Sequence, residues 1–201
     1  MSTEAVADGG GPTLYVIRDT ALSFFADDGY DNTSMRKIAS AVGIRVASLY
    51  SHFPSKESIL WMICEEAMGQ LLSQANSEAV VDGAIPKRFE AFVESHFRYH
   101  IENRSRCVVV NDRLRSLSPE HFQHAGELRD MYEHRLREII EAGVREGCFS
   151  TADARLASYS ILATGMHIAK WYRADGELTQ RQVIDGNLQI ARRIVGDHTR
   201  P

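Results

Sequence analysis

Apolar residues spaced three or four apart fill nearly every segment of this chain, and this spacing restricts the fold more than any other feature. It places them on one face of an α-helix, whereas no run shows the strict alternation of apolar and polar residues that is typical of a half-buried strand. With 201 residues, 44% of them hydrophobic, the chain is long enough to bury a core between such helices. We therefore expect an all-α protein.

Turn and capping signals indicate where several helices begin and end. The first helix is expected to end at Asp28 and Gly29, because glycine readily takes the left-handed conformation of a helix C-terminal cap. Ser118, which precedes a proline and a glutamate, is typical of a helix start. Further helices are expected from Ser55 to about Asn76, from Ser118 to Gly143 or Gly147, and over residues 154–173 and 179–195.

Residues 33–53 form a compact unit of two short helices that meet at Gly43. Within this pair, Thr33 is expected to cap the N-terminal helix, and Leu49 of the C-terminal helix is expected to point back to the core. Two helices joined by a short glycine-containing turn are typical of a helix-turn-helix. The alternative is that the pair is only a packing unit.

Positive charge is concentrated in this unit. The whole chain has a formal net charge of −4, yet the segment from Thr33 to Lys56 contains Arg36, Lys37, Arg45 and Lys56 and no acidic residue. Recognition of nucleic acid depends on such a local field rather than on the total charge. The segment is therefore expected to bind an anion.

These residues supply both kinds of contact that a helix-turn-helix makes with DNA. The start of the second helix enters the major groove, where Arg45 can pair with guanine, and neighbouring helix starts contact phosphates. Basic side chains beside free backbone N–H groups favour such phosphate contacts. The candidate DNA-binding residues are Thr33, Arg36, Lys37, Arg45, Val46, Ala47, Ser48, Tyr50 and Lys56.

Several segments resemble the signature of the TetR family of bacterial transcriptional regulators. They are residues 21–25, Gly29-Tyr30, Thr33–Ala39, Gly43-Ile44 and Leu49–Glu57. The resemblance implies DNA contacts by Thr33, Arg45, Tyr50, His52 and Lys56. Many members have a small polar residue or lysine followed by glycine where this chain has Val46 and Ala47, so the operator sequence stays open.

The expected organisation is a disordered tail at residues 1–12, a three-helix helix-turn-helix domain at 13–60 and a helical ligand-binding and dimerisation bundle at 61–201. The resemblance implies a cytoplasmic bacterial regulator, most simply a repressor, that binds palindromic double-stranded operator DNA as a homodimer and responds to a small hydrophobic effector. It implies no enzyme activity, cofactor or membrane partner. No apolar run is long enough to span a membrane.

Dimerisation through the last two helices is implied by the resemblance, and two patterns favour it. Small residues at Ala163–Met166 would let another helix approach closely, and the stripe of Leu188, Ala191 and Ile194 requires a packing partner. The alternative is that both pack within one chain.

Two further segments, Cys107–Arg115 and Trp171–Leu178, resemble a TetR branch that responds to acyl-coenzyme A thioesters. Such a pocket needs apolar walls for the acyl chain and cations for the phosphates. The walls could be provided by Phe92, Phe97, Met131 and Tyr132, and the cations by Arg104, Arg106, Arg113 and Arg115. The alternatives are that the aromatic residues are core and the arginines surface, or that the pocket binds drugs. The candidate ligand-binding residues are Phe92, His96, Tyr99, His100, Asn111, Arg113, Arg115, Tyr132, His167 and Trp171.

Histidine and cysteine leave two alternatives open. His96 and His100 have the spacing of two metal ligands on a helix, which would fit a metalloenzyme completed by His121, His124 or His167, but no HExxH motif or acid cluster accompanies them. We expect no metal. The three cysteines, Cys64, Cys107 and Cys148, are expected to be buried thiols in a reducing compartment, with redox sensing as the alternative.

Overall fold

The computed structural model describes residues 14–79 and 83–197. Over these ranges the chain forms nine α-helices and no strand, which confirms the all-α class. The helices are α1 (Leu14–Phe24), α2 (Met35–Ala41), α3 (Val46–His52), α4 (Lys56–Ala79), α5 (Ile85–Glu102), α6 (Arg104–Arg113), α7 (Pro119–Arg145), α8 (Ala154–Trp171) and α9 (Gln180–Val195). The tail expected at residues 1–12 lies outside the described residues.

The end of the first helix is close to the expected one. α1 continues into a π-helical turn, Phe25–Gly29, and Gly29 ends it with a φ of 89°. Such a positive φ is easily adopted by glycine because it has no Cβ. Tyr30 follows as a buried residue and packs edge-on against Phe25.

The cap of α2 is one residue later than predicted. Ser34, not Thr33, has the extended backbone of an N-cap, and its Oγ accepts a hydrogen bond from the backbone N–H of Lys37 at 3.2 Å. The Thr33 hydroxyl instead donates to the carbonyl of Gly29 at 2.9 Å. The Thr33 side chain thus supplies a hydrogen bond to the carbonyl at the end of the π-helical turn. The other predicted caps are confirmed, since Ser55 accepts from Ser58 and Ser118 from His121.

α4 passes through two hydrophobic cores. The N-terminal core contains α1, α2, α3 and the first half of α4, and it also receives Val109 and Val110 from α6 and Ala125 from α7. The C-terminal core is built from the second half of α4 with α5, α7, α8 and α9. The helix-turn-helix unit therefore packs against residues of α6 and α7.

The last two helices use their predicted contact residues within the chain. Leu188 and Ala191 are buried in the C-terminal core, with Ile194 packed against it. Gly165 of α8 is also buried, and a Cβ there would lie 2.2 Å from Nε2 of His96. The alternative of intramolecular packing is correct for Gly165 and for the α9 stripe, because these surfaces cover α5.

A different face of these two helices remains apolar and exposed. Leu156 of α8 is 65% exposed, and Trp171 of α8 and Ile190 of α9 are also exposed. Isolated exposed apolar residues are ordinary, but several on neighbouring helices mark a surface suited to contact with a partner. We call Leu156, Ala163, Trp171 and Ile190 the outer face.

Candidate nucleic-acid interface and internal cavity

α3 presents most of the predicted base-reading residues to solvent. Arg45 precedes the first turn, and Ala47, Ser48, Tyr50 and His52 are all exposed, with Tyr50 at 50%. Leu49, on the opposite side, is fully buried and fixes the helix to the core. Val46 is half-buried and packs against that core, which limits its predicted contact with DNA to the exposed part of its side chain.

The three residues on α2 and the preceding loop that are predicted to contact phosphate differ in how freely their side chains can reach DNA. Arg36 is exposed, whereas Lys37 pairs with Asp28 at 2.8 Å and lies over the ring of Phe24. Thr33 is only 2% exposed and its hydroxyl already donates to backbone. A direct contact between Thr33 and DNA therefore disagrees with this conformation, because the side chain points into the domain.

Lys56 has a structural contact where the sequence predicts only a phosphate contact. Its Nζ donates to the carbonyl of Tyr30 at 2.5 Å and lies 4.1 Å above the centre of the Tyr30 ring. Burial lowers the pKa of Lys56, and burial also raises the pKa of Tyr30 to about 12. Lys56 therefore holds the loop before α2 against the start of α4, and its contact with phosphate stays a prediction.

The start of α4 is also bound to the start of α7. Glu57 Oε1 accepts from the backbone N–H of Ser118 at 2.9 Å and from Nδ1 of His121 at 2.7 Å. The ring of Trp61 stacks on His121, with 4.6 Å between the ring centres. This cluster of Glu57, Trp61, Ser118 and His121 is called the α4–α7 clamp below.

A second polar link joins the two parts of the chain. Arg113, at the end of α6, donates to Asp31 in the loop before α2 at 2.9 Å. Arg113 is therefore bound to the helix-turn-helix unit rather than placed in a ligand pocket. Together with the α4–α7 clamp, it connects the C-terminal helices to the loop and helices that position α3.

A cavity of about 290 Å³ lies where the two cores meet. Helices α4 to α8 all contribute to its wall, which is apolar over most of its area. Its lining residues are Ala67, Met68, Leu71, His96, Tyr99, His100, Cys107, Val110, Asn111, Gly126, Arg129, Asp130, Tyr132, Glu133, Tyr159, Leu162 and Met166. A mainly apolar cavity with a few polar groups is typical of a small-molecule site.

Half of the predicted ligand residues line this cavity and half do not. Those in its wall are His96, Tyr99, His100, Asn111 and Tyr132. Phe92 lies outside the wall as a core residue packed against Tyr132, and Arg113 lies outside it and pairs with Asp31. Arg115, His167 and Trp171 are exposed and lie outside the cavity wall. Arg129 lines the cavity but is absent from the predicted ligand-binding residues. It follows Ala125 by four residues and precedes Tyr132 by three, and this spacing places it on the buried stripe of α7.

His96 and Tyr132 form a hydrogen bond with each other inside the cavity wall. The Nε2 of His96 lies 3.1 Å from the carbonyl of Leu162, which only accepts, so Nε2 carries the proton and Nδ1 accepts from the Tyr132 hydroxyl at 3.1 Å. Burial, more than the neighbouring His100, lowers the pKa of His96 well below its ordinary value. The ring is therefore a neutral structural element that joins α5, α7 and α8.

The histidine pairs do not assemble a metal site. Nδ1 of His100 is used by the carbonyl of His96 at 2.8 Å, and His121 and His124 lie against Trp61 in a different part of the molecule. Within residues 14–79 and 83–197, no group of three or more histidine, cysteine or acidic side chains is arranged to hold a metal. The spacing of four on α5 is explained by packing.

Two of the three cysteines are deeply buried thiols. Burial raises the pKa of Cys64 and of Cys107 to about 12 in each case. A thiol reacts as the thiolate, so both are poor candidates for redox sensing. Cys148 is partly buried.

None of the helices in the described ranges is both long and apolar enough to cross a membrane.

Comparison with known protein families decides which group this fold and these surfaces belong to. A model of bacterial regulatory proteins of the tetR family matches residues 17–61, and a model of the tetracyclin repressor-like C-terminal domain matches residues 82–195. This chain belongs to the TetR family of transcriptional regulators. The first match covers the helix-turn-helix unit, and the second covers most of the cavity wall and the outer face.

Individual TetR-family proteins agree with this assignment. The transcriptional repressor KstR2 of Rhodococcus jostii RHA1 is 31% identical, over 86% of this chain and 85% of its own length. The fatty acid metabolism regulator protein of Bacillus subtilis 168 is 26% identical, over 76% of this chain and 79% of its own. The crystal structure of AibR in complex with isovaleryl coenzyme A and operator DNA has a TM-score of 0.78 and 27% identity, covering 92% of this chain and 98% of AibR.

Proposed function

We propose that this TetR-family protein is a repressor that binds palindromic operator DNA as a homodimer and is released by a small hydrophobic effector, an acyl-coenzyme A thioester. The observation that carries the proposal is the position of the cavity. Its wall includes Ala67 and Met68 of α4 and Arg129 of α7, while the first turns of the same two helices form the α4–α7 clamp beside the helix-turn-helix unit.

The effector class is supported by the relatives. AibR was crystallised with isovaleryl coenzyme A and operator DNA, and a second relative is a fatty acid metabolism regulator. The mainly apolar wall suits an acyl group, because burial of apolar surface stabilises the complex by about 25 cal/mol per Å². A small cavity that holds the acyl group leaves the coenzyme to extend outward.

Among the arginines predicted to bind the coenzyme phosphates, the cavity favours Arg106 over Arg113 and Arg115. Arg113 and Arg115 lie outside the cavity wall, and Arg113 is already paired with Asp31. Arg106 is better placed, since it donates to Gln70 at 2.9 Å and Gln70 also contacts the hydroxyl of Tyr99 in the wall. We assign phosphate binding to Arg106.

Homodimerisation is proposed through the outer face. Leu156, Ala163 and Trp171 of α8 and Ile190 of α9 form an exposed apolar surface on the two helices that the family resemblance assigns to the dimer. Burial of this surface against a second copy would place two α3 helices on one side of the dimer, which suits half-sites about one helical turn apart or a multiple of it. Light scattering of the free protein and of its operator complex tests this directly.

The experiment for the effector is a panel read in two ways. Acyl-coenzyme A compounds, their free acids and unrelated hydrophobic drugs are tested for a shift in melting temperature and for release of the protein from operator DNA in a gel shift. The proposal expects both effects from a thioester and neither from its free acid, because only the thioester carries the phosphates. If drugs produce both effects and thioesters produce neither, the protein is a drug sensor.

A further inference from the structure

Most polar groups in the cavity wall are already satisfied by the protein. Both ring nitrogens of His96 are bonded, and the Glu133 carboxylate accepts from Ser158 and lies 3.8 Å from Arg137. His100 of α5 and Arg129 of α7 differ, because each keeps polar atoms without a partner in the described part of the chain. They are the groups that an effector inside the cavity would have to satisfy.

His100 offers a hydrogen-bond acceptor to the cavity. Its Nδ1 lies 2.8 Å from the carbonyl of His96 and therefore carries the proton, because a carbonyl only accepts. Burial lowers the pKa of His100 to about 4, so the ring is neutral near pH 7 and Nε2 bears a lone pair. Nε2 has no partner among the described residues and is not sealed inside protein, so it opens onto the cavity that His100 lines.

Arg129 offers donors to the same space. Its Nη2 donates to Asn111 Oδ1 at 2.5 Å, and burial lowers the pKa of the guanidinium. No carboxylate in the described part of the chain lies within ion-pair distance of it, and its other N–H groups are not enclosed. The charge of Arg129 also lowers the pKa of His100, which places the two side chains near each other.

An unsubstituted acyl chain would cover both groups without bonding to either. Buried polar groups left without partners are costly, and a charged donor is more costly than a neutral one. A hydroxyl group meets both needs, because it donates one hydrogen bond and accepts others. Given the proposed acyl thioester, we infer that the acyl group of the effector carries a hydroxyl that donates to Nε2 of His100 and accepts from Arg129.

The test compares matched ligands on the full-length protein. Dissociation constants are measured by calorimetry for saturated acyl-coenzyme A thioesters and for the β-hydroxy and ω-hydroxy thioesters of the same chain length. The inference expects at least one hydroxylated member to bind about tenfold more tightly than its saturated counterpart, the effect of one well-formed hydrogen bond in a buried site. Equal affinity within every pair would overturn it, since water then satisfies both groups equally well.

Variants assign the preference to the two side chains. In His100→Phe and in Arg129→Met, the preference for the hydroxylated ligand should fall to about twofold or less, while His100→Gln, which keeps an acceptor, should retain part of it. Arg135→Met is the matched control, because Arg135 is an exposed arginine of α7 that pairs with Glu138. A preference that survives in His100→Phe contradicts the inference. Melting temperature and operator binding verify that each variant is folded.

The two proposals fail in different ways. If saturated thioesters release the protein from its operator but hydroxylation has no effect, the proposed function stands and the hydroxyl inference is wrong. If no thioester of either kind binds, the effector class itself is wrong.

Discussion

Glu57, in the first turn of α4, accepts a hydrogen bond from Nδ1 of His121, in the first turn of α7, over 2.7 Å. The same carboxylate oxygen accepts from the backbone N–H of Ser118, the cap of α7. α7 also contributes Gly126, Arg129 and Tyr132 to the cavity wall. A ligand that displaces α7 would therefore also displace Glu57. The neighbouring residue, Lys56, holds the loop before α2 through its contact with Tyr30.

Glu57→Gln should weaken communication between effector and operator. The neutral amide accepts hydrogen bonds more weakly than the carboxylate, so the clamp should loosen. The factor by which the effector lowers operator affinity should then be about fivefold smaller than in the wild type, which corresponds to a loss of about 1 kcal/mol in coupling free energy. Effector affinity without DNA should stay within about twofold. Fluorescence anisotropy of labelled operator measures this, with Glu65→Gln, an exposed position on α4, as the control. Unchanged coupling in Glu57→Gln would remove the clamp from the mechanism.

Arg45→Ala should relax the preference for one base pair in each half-site. Arg45 precedes α3 with its side chain exposed, and one lost bidentate contact corresponds to about 1 to 3 kcal/mol of discrimination. Lys56→Ala is the contrasting variant: it should weaken binding to all sequences, lower the salt slope by about one and also lower the melting temperature. The extra loss of stability follows from the contacts of Lys56 with Tyr30. A uniform loss of affinity in both variants would contradict base reading by Arg45.

Gly165→Ala should destabilise the fold. The added Cβ would lie 2.2 Å from Nε2 of His96, which separates His96 from Leu162 and disturbs the cavity wall, at a cost of about 1 to 3 kcal/mol. Gly69→Ala is the matched control, because this helical glycine has open space around the added carbon and should gain about 0.5 to 1 kcal/mol. Urea denaturation compares the two. Equal stability of both variants would mean that α8 can move away from α5.

Acid should destabilise the protein through His100. Its pKa is lowered to about 4 in the folded protein, against the ordinary value of 6.5, so between these values the unfolded chain binds the extra proton. The free energy of unfolding should therefore fall as the pH drops from 6.5 to 4, by up to about 3 kcal/mol from this residue. Urea midpoints of the wild type and His100→Gln across this range measure the difference. Parallel pH profiles would contradict it.

The helix-turn-helix could be predicted from the sequence because its signals are local. Gly43, the capping serines and the stripe that contains Leu49 each act within a few residues, and only the cap of α2 was displaced by one. α6 could not be predicted as a helix, because Cys107 belongs to one core and Val109 and Val110 to the other, so its apolar residues form no single stripe.

The cavity was only half predictable, because its wall combines residues from five helices. Sequence spacing identifies a buried face but not which helix covers it. Arg113 and Arg129 illustrate the limit: both are arginines on helices, yet only the packing of α6 against the loop at Asp31 turns Arg113 away from the cavity. The α9 stripe is a similar case, since its partner is α5 of the same chain.

Reciprocal binding of operator and effector tests the proposed switch most directly. The dissociation constant of operator DNA is measured with and without saturating acyl-coenzyme A, and that of the thioester with and without operator. Linkage requires both constants to rise by the same factor, and a coupling of about 1 to 3 kcal/mol corresponds to about 5- to 150-fold. The proposed function predicts equal factors in this range. A thioester that binds the cavity tightly and leaves operator affinity unchanged would contradict it.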